Sequence, residues 1–382
     1  MRKLPILLLG TLLLLGGCTP DRESEKPEPI VATLTVAGDV MNHDTQIADA
    51  YDAAADAYDY GHVFQYAKPW LEASDYAVAN LETTLPGDGD YTGYPCFGAP
   101  DALAYDLKEA GFDLLSTANN HTLDRGTNGV SRTLDVLDKA GLAHTGSYRS
   151  QEERSARNAV AADVGGIQVA FLTYTYGLSG CSLPPDQSYA VNCFSPDSPF
   201  SQPDKALLAA DLAAARELGA DLVAVMIHWG AEYRSAPTDD QRALAEFLVA
   251  NGADLVLGSH PHVIQTYETV TAGGREGFVC YSLGNFISAQ SKEYTDITAL
   301  LQLELTKDES GTRITGAGYI PFCMIHLWSR EKTDYLLDAH RALGEYGEND
   351  LVTEGVYRSL ERAVAHCHEI FGAEGDLGQA AE

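Results

Sequence analysis

Apolar runs that stop at a polar cluster set the rhythm of this chain. Residues 30–37, 76–79, 112–117, 221–228 and 253–257 follow this pattern. Runs of this length bounded by Gly, Asn or Asp read as buried strands. Between them, residues 101–110, 126–140, 203–218 and 239–251 predict helices, clearest in 126–140, where Leu and Val recur at i, i+3 and i+4. Gly111 and Gly141 stop the first two. Residues 45–73, with Ala and Tyr at helical spacing and an acidic outer face, also predict mostly helix. Such alternation implies a parallel or mixed sheet with covered faces. At residue 156 the pattern changes: two β-rich runs flank Gly165-Gly166 and predict a hairpin. Residues 175–202 form a Pro-, Ser- and Cys-rich loop, long enough to carry function. Four later runs, 263–270, 277–283, 298–305 and 312–322, predict an antiparallel set, and residues 335–371 an acidic helical segment packed outside.

The polar clusters at the strand ends change the picture from fold to chemistry. Asp39, Glu82, Asn120, His228, His260 and His262 each follow an apolar run, and strand ends in open α/β sheets are where ligands bind. Carboxylate, amide oxygen and imidazole together suit one or two divalent transition metals; calcium prefers all-oxygen ligands. Glu82 can bridge two ions, and His121, beside Asn120, can donate a proton to a leaving group. Each residue also has a plain structural role open to it. Asp39 can cap a helix, Asn119 and Asn120 suit turns, and His228 suits a satisfied core position. Arg125 either contacts an anionic substrate or pairs near Asp124 or Glu82. Trp229 and Tyr233 read as packing or pocket wall, and His366 and His368, two apart on one helix, as surface residues pointing apart.

The start of the chain adds a compartment. Arg2 and Lys3 precede an apolar run, residues 4–15, and then Gly16, Gly17 and Cys18. This order predicts a secretory signal over residues 1–17. Leu15-Gly16-Gly17-Cys18 resembles a bacterial lipobox, which implies acylation of Cys18 and an extracytoplasmic, membrane-anchored lipoprotein. Residues 18–29 then serve as a solvated tether. The main domain is expected over residues 30–322 and a helical extension over 323–382. The net charge of −30 over 382 residues argues against nucleic acid as a partner, which needs a basic face. Outside the cytoplasm disulfides form, and Cys181 with Cys193, which bracket the long loop, is the pair the sequence favours; free thiols are the alternative.

Six motifs occur in order: Gly38-Asp39-Val40-Met41, Asn80-Leu81-Glu82, Ala118-Asn119-Asn120-His121-Thr122-Leu123-Asp124-Arg125-Gly126, His228-Trp229-Gly230-Ala231-Glu232, Gly258-Ser259-His260-Pro261-His262-Val263 and Tyr281-Ser282-Leu283-Gly284-Asn285-Phe286. Together they resemble the bacterial capsule-synthesis CapA family, the poly-γ-glutamate capsule group related to calcineurin-like metallophosphoesterases. The resemblance covers roughly residues 31–290. It implies a four-layer αββα sandwich with mixed sheets and a two-metal site. Asp39, Glu82 and His262 would hold one ion; Glu82, Asn120, His228 and His260 the other, with Mn, Fe or Zn as the metal. His121 would take the catalytic histidine's place. His43, Asn80, Asn119, Arg125, Glu232 and Asn285 would support the ligands or touch substrate. Two positions depart from the phosphoesterase pattern: Met41 stands where His is expected, and Glu82 where Asp is expected.

The resulting expectation is a cell-surface lipoprotein acting in the synthesis, anchoring or export of a capsule or envelope polymer. It would hydrolyse or transfer an ester or amide with metal assistance, on an anionic polymer or a phosphoester, within a capsule-synthesis complex. The departures at Met41 and Glu82 keep a second reading open, a polymer-binding or complex-forming subunit that retains the fold without catalysis. A solute-binding lipoprotein would account for the anchor and acidity but not for the six motifs.

Overall fold

The computed structural model describes residues 28–87, 89–194, 202–327 and 330–381. The expected signal, the lipidation site Cys18 and all of the tether except its last two residues lie outside the described residues. In chain order, strand β1 (Ile30–Val40) leads to α1 (Asp44–Ala50), a small hairpin β2 (Tyr51–Asp52) and β3 (Ala57–Tyr58), and two short helices, α2 (Gly61–Phe64) and α3 (Lys68–Glu72). Then come β4 (Tyr76–Leu81), α4 (Ala102–Ala110), β5 (Leu114–Ser116), α5 (Gly126–Ala140), β6 (Ala143–Thr145) and α6 (Gln151–Arg157). The hairpin β7 (Val160–Val164) and β8 (Ile167–Thr175) precedes α7 (Gln202–Glu217), β9 (Leu222–His228), α8 (Asp239–Ala250) and β10 (Leu255–Ser259). The chain finishes with β11 (Ile264–Ala272), β12 (Arg275–Leu283), β13 (Asn285–Ile287), β14 (Ile297–Asp308), β15 (Gly311–His326), β16 (Asp334–Asp338), α9 (Ala339–Gly344) and α10 (Glu354–Phe371).

Two mixed sheets pack face to face. The first runs β16-β15-β14-β1-β4-β5-β6, with β13 also paired to β1; the second runs β11-β12-β10-β9-β8-β7. Helices α4 and α5 cover the first sheet and α7 and α8 the second, giving the four-layer αββα order. Strand parity shows why. Along β9, Leu222, Ala224 and Met226 belong to the core between the sheets, while Val223, Val225 and Ile227 pack under α7 and α8 with Leu212, Leu244 and Leu248. Period-two alternation between two apolar faces makes the whole run hydrophobic. The next residue with the inward parity is His228.

Within this frame β1, β4 and β5 are mutually parallel, as are β8, β9, β10 and β12. The carboxyl ends of both parallel sets reach the same rim. Four expectations change. The helix expected over residues 45–73 is broken into three short pieces, α1, α2 and α3, because Asp52 Oδ1 accepts from the backbone N–H groups of Ala54 and Ala55 and turns the chain into the β2–β3 hairpin. The late antiparallel set divides: β11–β12 extends the second sheet, and β14–β15 the first. Residues 334–338 are a strand on the edge of the first sheet, not the start of a helix. Cys181 and Cys193 are free thiols. Cys193 is drawn to the end of β8, where it bridges Thr175, while Cys181 stays exposed.

Candidate metal centre

The shared rim gathers the polar strand ends. Asp39 stands on β1 beside Asn80 of β4, and Glu82 is one residue beyond the end of β4. Asn119, Asn120 and His121 follow β5, and His228 ends β9 opposite Ser259 of β10. His260 and His262 come next, with φ of 100° and 60°. Left-handed backbone at two non-glycine residues is strained, and such strain persists where surrounding structure over-determines it. The backbone N–H of Tyr233 donates to the Pro261 carbonyl at 2.7 Å and holds this turn in place. Gly38 and Gly258 permit the close approach. A Cβ at Gly38 would lie 1.9 Å from the Gly284 carbonyl oxygen, and one at Gly258 2.1 Å from that of Tyr281.

A hydrogen-bond web orients these side chains. Asn80 Nδ2 donates to Asp39 Oδ1 at 2.8 Å, and Asn119 Nδ2 donates to Asn80 Oδ1 at 3.2 Å and to the Leu81 carbonyl at 2.7 Å. His228 Nδ1 meets Ser259 Oγ at 2.9 Å, and its Nε2 lies 2.8 Å from Asn120 Oδ1 and 3.6 Å from Glu82 Oε1. His262 Nδ1 is 2.9 Å from Asn285 Oδ1. The Asn285 amide nitrogen is committed to the Thr295 carbonyl and Gln290, so its oxygen must face the ring and takes the Nδ1 proton. This leaves His262 Nε2 with a lone pair, 3.9 Å from Glu82 Oε1. His121 Nδ1 is 2.8 Å from Asp124 Oδ2, which also accepts the Phe97 N–H at 2.7 Å.

Glu82 stands apart from this web. It is 0% exposed, and neither carboxylate oxygen has a hydrogen-bond partner among the described residues. His260 Nδ1 is likewise buried and unpartnered. A buried, unpaired carboxylate costs several kcal/mol or neutralises. Burial accordingly pushes Glu82 well above the usual carboxylate range, with Asp39, Glu232 and Asp124 adding to the shift. Burial raises Asp39 to about 7 against the opposing hydrogen bonds from Asn80 and His260. Burial lowers His260 to about 3 and His262 to about 4, and lowers His228 strongly as well. A bound cation would need these carboxyls deprotonated and the imidazoles neutral. The ligand atoms of Glu82, His260 and His262 lie within 4.8 Å of one another, as do those of Asp39, Glu82 and His228. Glu82 is common to both groups, the placement a bridging ligand requires. The groupings cut across the partition implied by the resemblance, which set His262 with Asp39 and His260 with His228.

Residues 33–290 match the family described as bacterial capsule synthesis protein PGA_cap. This chain belongs to that family. Among PGA_cap relatives, it is 32% identical over 300 residues to the capsule biosynthesis protein CapA of Bacillus anthracis, covering 77% of this chain and 67% of that protein. Identity to the PGA biosynthesis protein CapA of Bacillus subtilis is 30% over 252 residues, covering 65% of this chain and 62% of that protein. The matches thus span 67% and 62% of the lengths of these two curated relatives. Partial likeness in solved structures extends to a novel phosphatase from Mycoplasma pneumoniae, with TM-score 0.44 and 15% identity over 77% of this chain and 94% of that one. The calcineurin-like phosphoesterase YfkN from Bacillus subtilis gives TM-score 0.43 and 11% identity over 90% and 99%.

In this PGA_cap chain the remaining expected residues fall into three groups. Asn80 and Asn285 touch ligand candidates directly, and Asn119 acts through Asn80. Glu232 is exposed at the rim, near enough for its charge to act on Glu82. His43 and Arg125 serve the surrounding loops. The His43 ring packs edge-on against Phe97, and its Nδ1 takes the Ala289 N–H at 3.2 Å. Arg125 Nη2 donates to the Asp90 carbonyl at 2.8 Å and to Thr92 Oγ1 at 2.7 Å. It does not pair with Asp124 because His121 and Phe97 already occupy that carboxylate. Sequence reasoning missed Asp124 as the partner of His121, although the i, i+3 spacing was visible. It also missed Tyr176, whose ring lies 4.5 Å from His260 and 6.2 Å from His228; only its place at the end of β8 marked it.

Proposed function

We propose that this chain acts in capsule or envelope-polymer assembly as a metal-dependent hydrolase or transferase, held outside the cell membrane by a lipid on Cys18. The unpartnered, buried carboxylate of Glu82 between two groups of ligand atoms carries the reading. Asp39, Glu82, Asn120, His228, His260 and His262 would hold one or two divalent ions, with Mn, Fe and Zn all suited to this donor set. A divalent ion there would polarise an acyl or phosphoryl oxygen and acidify water. The chain's own residues do the rest. Asp124 accepts the Nδ1–H of His121 at 2.8 Å and is the counter-charge for a doubly protonated ring, whose Nε2–H would pass to the leaving group and leave neutral imidazole behind. Asn119 and Asn80 fix the Asp39 carboxyl. Tyr176 and Tyr233 wall the imidazoles, the latter with its ring 5.9 Å from His262. The names of the relatives support an anionic envelope polymer as substrate and a synthesis complex as setting.

The test is elemental analysis of purified protein together with hydrolysis of chromogenic phosphomonoesters and phosphodiesters in added manganese. The expected result is that the His260→Ala/His262→Ala variant holds at least one tightly bound equivalent of metal fewer than wild type. His121→Ala should keep its metal and lose about 10²–10⁴-fold in rate. Full metal content in the double variant would reject the assignment.

A polymer-binding role without catalysis has one observation in its favour. Met41 is 1% exposed and fills the position where the phosphoesterase pattern has a histidine ligand, while His43 is engaged elsewhere. Wild-type protein that holds metal and polymer but turns over no ester or amide would select this second reading.

A further inference from the structure

A second group of metal-ligating side chains lies outside the family-matched residues. His340 on α9, His368 on α10 and Asp376 in the closing segment converge at one point. Both imidazoles present Nε2 to the same carboxylate oxygen: His340 Nε2 is 2.7 Å and His368 Nε2 2.8 Å from Asp376 Oδ2. The side chain of Asp376 is 0% exposed, those of the histidines 14% and 27%. The amide of Gln379 closes the group, with Nε2 3.1 Å from His368 Nε2 and 3.4 Å from Asp376 Oδ2.

Within this group His368 Nε2 faces both the carboxylate and the Gln379 amide nitrogen. His368 Nε2 carries either one proton or one lone pair. With a proton it serves Asp376 but opposes the Gln379 amide N–H; with a lone pair it accepts from Gln379 but opposes the carboxylate. A half-turn of the Gln379 amide relieves this without an ion, and a cation at the centre relieves it too. Both Nε2 atoms then offer lone pairs, and half a turn of the amide brings Gln379 Oε1 inward. Opening the 2.7 and 2.8 Å contacts by about half an ångström gives the spacing of tetrahedral zinc ligands at ~2.0–2.1 Å. The site is also built by its surroundings. Asp376 Oδ1 accepts the Gly378 N–H at 3.0 Å. A Cβ at Gly378 would lie 2.5 Å from His340 Cδ2, so backbone packs directly on the ring. The Leu377 N–H donates to the Tyr319 carbonyl of β15 at 2.9 Å.

We propose that His340, His368, Asp376 and Gln379 form a structural site for a divalent transition metal of the zinc class, which clips the carboxyl-terminal segment to α9 and α10. Two imidazoles with two oxygens select zinc, cobalt or nickel over magnesium or calcium. This site is independent of the Glu82 cluster and of the activity proposed there.

The experiment titrates metal-free, full-chain protein with Co(II) and separately with Zn(II), following visible ligand-field bands and bound stoichiometry. Protein carrying His260→Ala/His262→Ala is expected to retain one equivalent, with bands of low-symmetry four-coordinate Co(II). Adding His340→Gln/His368→Gln should remove that equivalent. In wild-type background the same pair should lower total stoichiometry by one while leaving hydrolytic rate unchanged. Should the pair not fold, His368→Gln alone, at the more exposed ligand, should weaken the site at least ~10-fold. No difference in bound cobalt or zinc between these proteins and their parents, or uptake only at millimolar metal, would overturn the proposal.

Discussion

Glu82 concentrates the physics of this molecule in one side chain. Its folded pKa, like that of Asp39, is raised by burial, so the neutral form is favoured in the fold. That contribution to stability is present below the ordinary carboxylate range and is lost as pH rises through about 7, the value for Asp39. Metal-free protein should therefore melt lower at pH 8 than at pH 5, and divalent metal should restore much of the difference. Glu82→Gln replaces the charge with a neutral shape. Its metal-free form should equal or exceed metal-free wild type in melting temperature at pH 8, yet gain less than wild type on adding metal; scanning calorimetry reads both. Among individual residues, the ligand types and His121 were legible because a cluster of polar groups after an apolar run is rare. Arg125 and His43 were not, because their partners, Thr92 and Ala289, come from loops whose path no local pattern reveals. His366 was misread as a surface residue. It is 5% exposed and stacked at 3.9 Å on Tyr294, a contact made across 72 residues of sequence.

At the level of elements, parity carried the most information. The alternation in β9 pointed His228 inward, and glycine stops bounded α4 and α5. Short pieces failed: β6 has three residues, too few for a period, and the β2–β3 turn depends on a single aspartate. The two cores make separable predictions. Leu248→Ala, on the buried face of α8, should cost about 2–5 kcal/mol and leave metal bound per folded molecule unchanged. Gly38→Ala drives a methyl into the Gly284 carbonyl. It should cost about 3 kcal/mol or more and also displace Asp39, so chemical denaturation and metal content should fall together. Equal metal loss in both variants would contradict the proposed division between scaffold and site.

Over the whole molecule, the charge of −30 opposes any polyanion at long range. At physiological salt that repulsion is screened beyond about 8 Å, so association with an acidic polymer should accelerate as salt rises from low ionic strength. Stopped-flow measurement against polyglutamate would detect it, and a rate that falls with salt would point to a basic patch instead. Replacing Cys18 with Ser should release the protein from membranes into the medium. The proposed anchor would also give the fold a direction. The first residue of β1, Ile30, and its Asp39 sit at opposite ends of an 11-residue strand, roughly 35 Å in length. An anchor ahead of Ile30 would hold the back of the sandwich, and the cleft would open towards the surroundings. Material buried in the bilayer plane would have to climb the height of the molecule to be handled; a thread already in transit outward would pass at the right level.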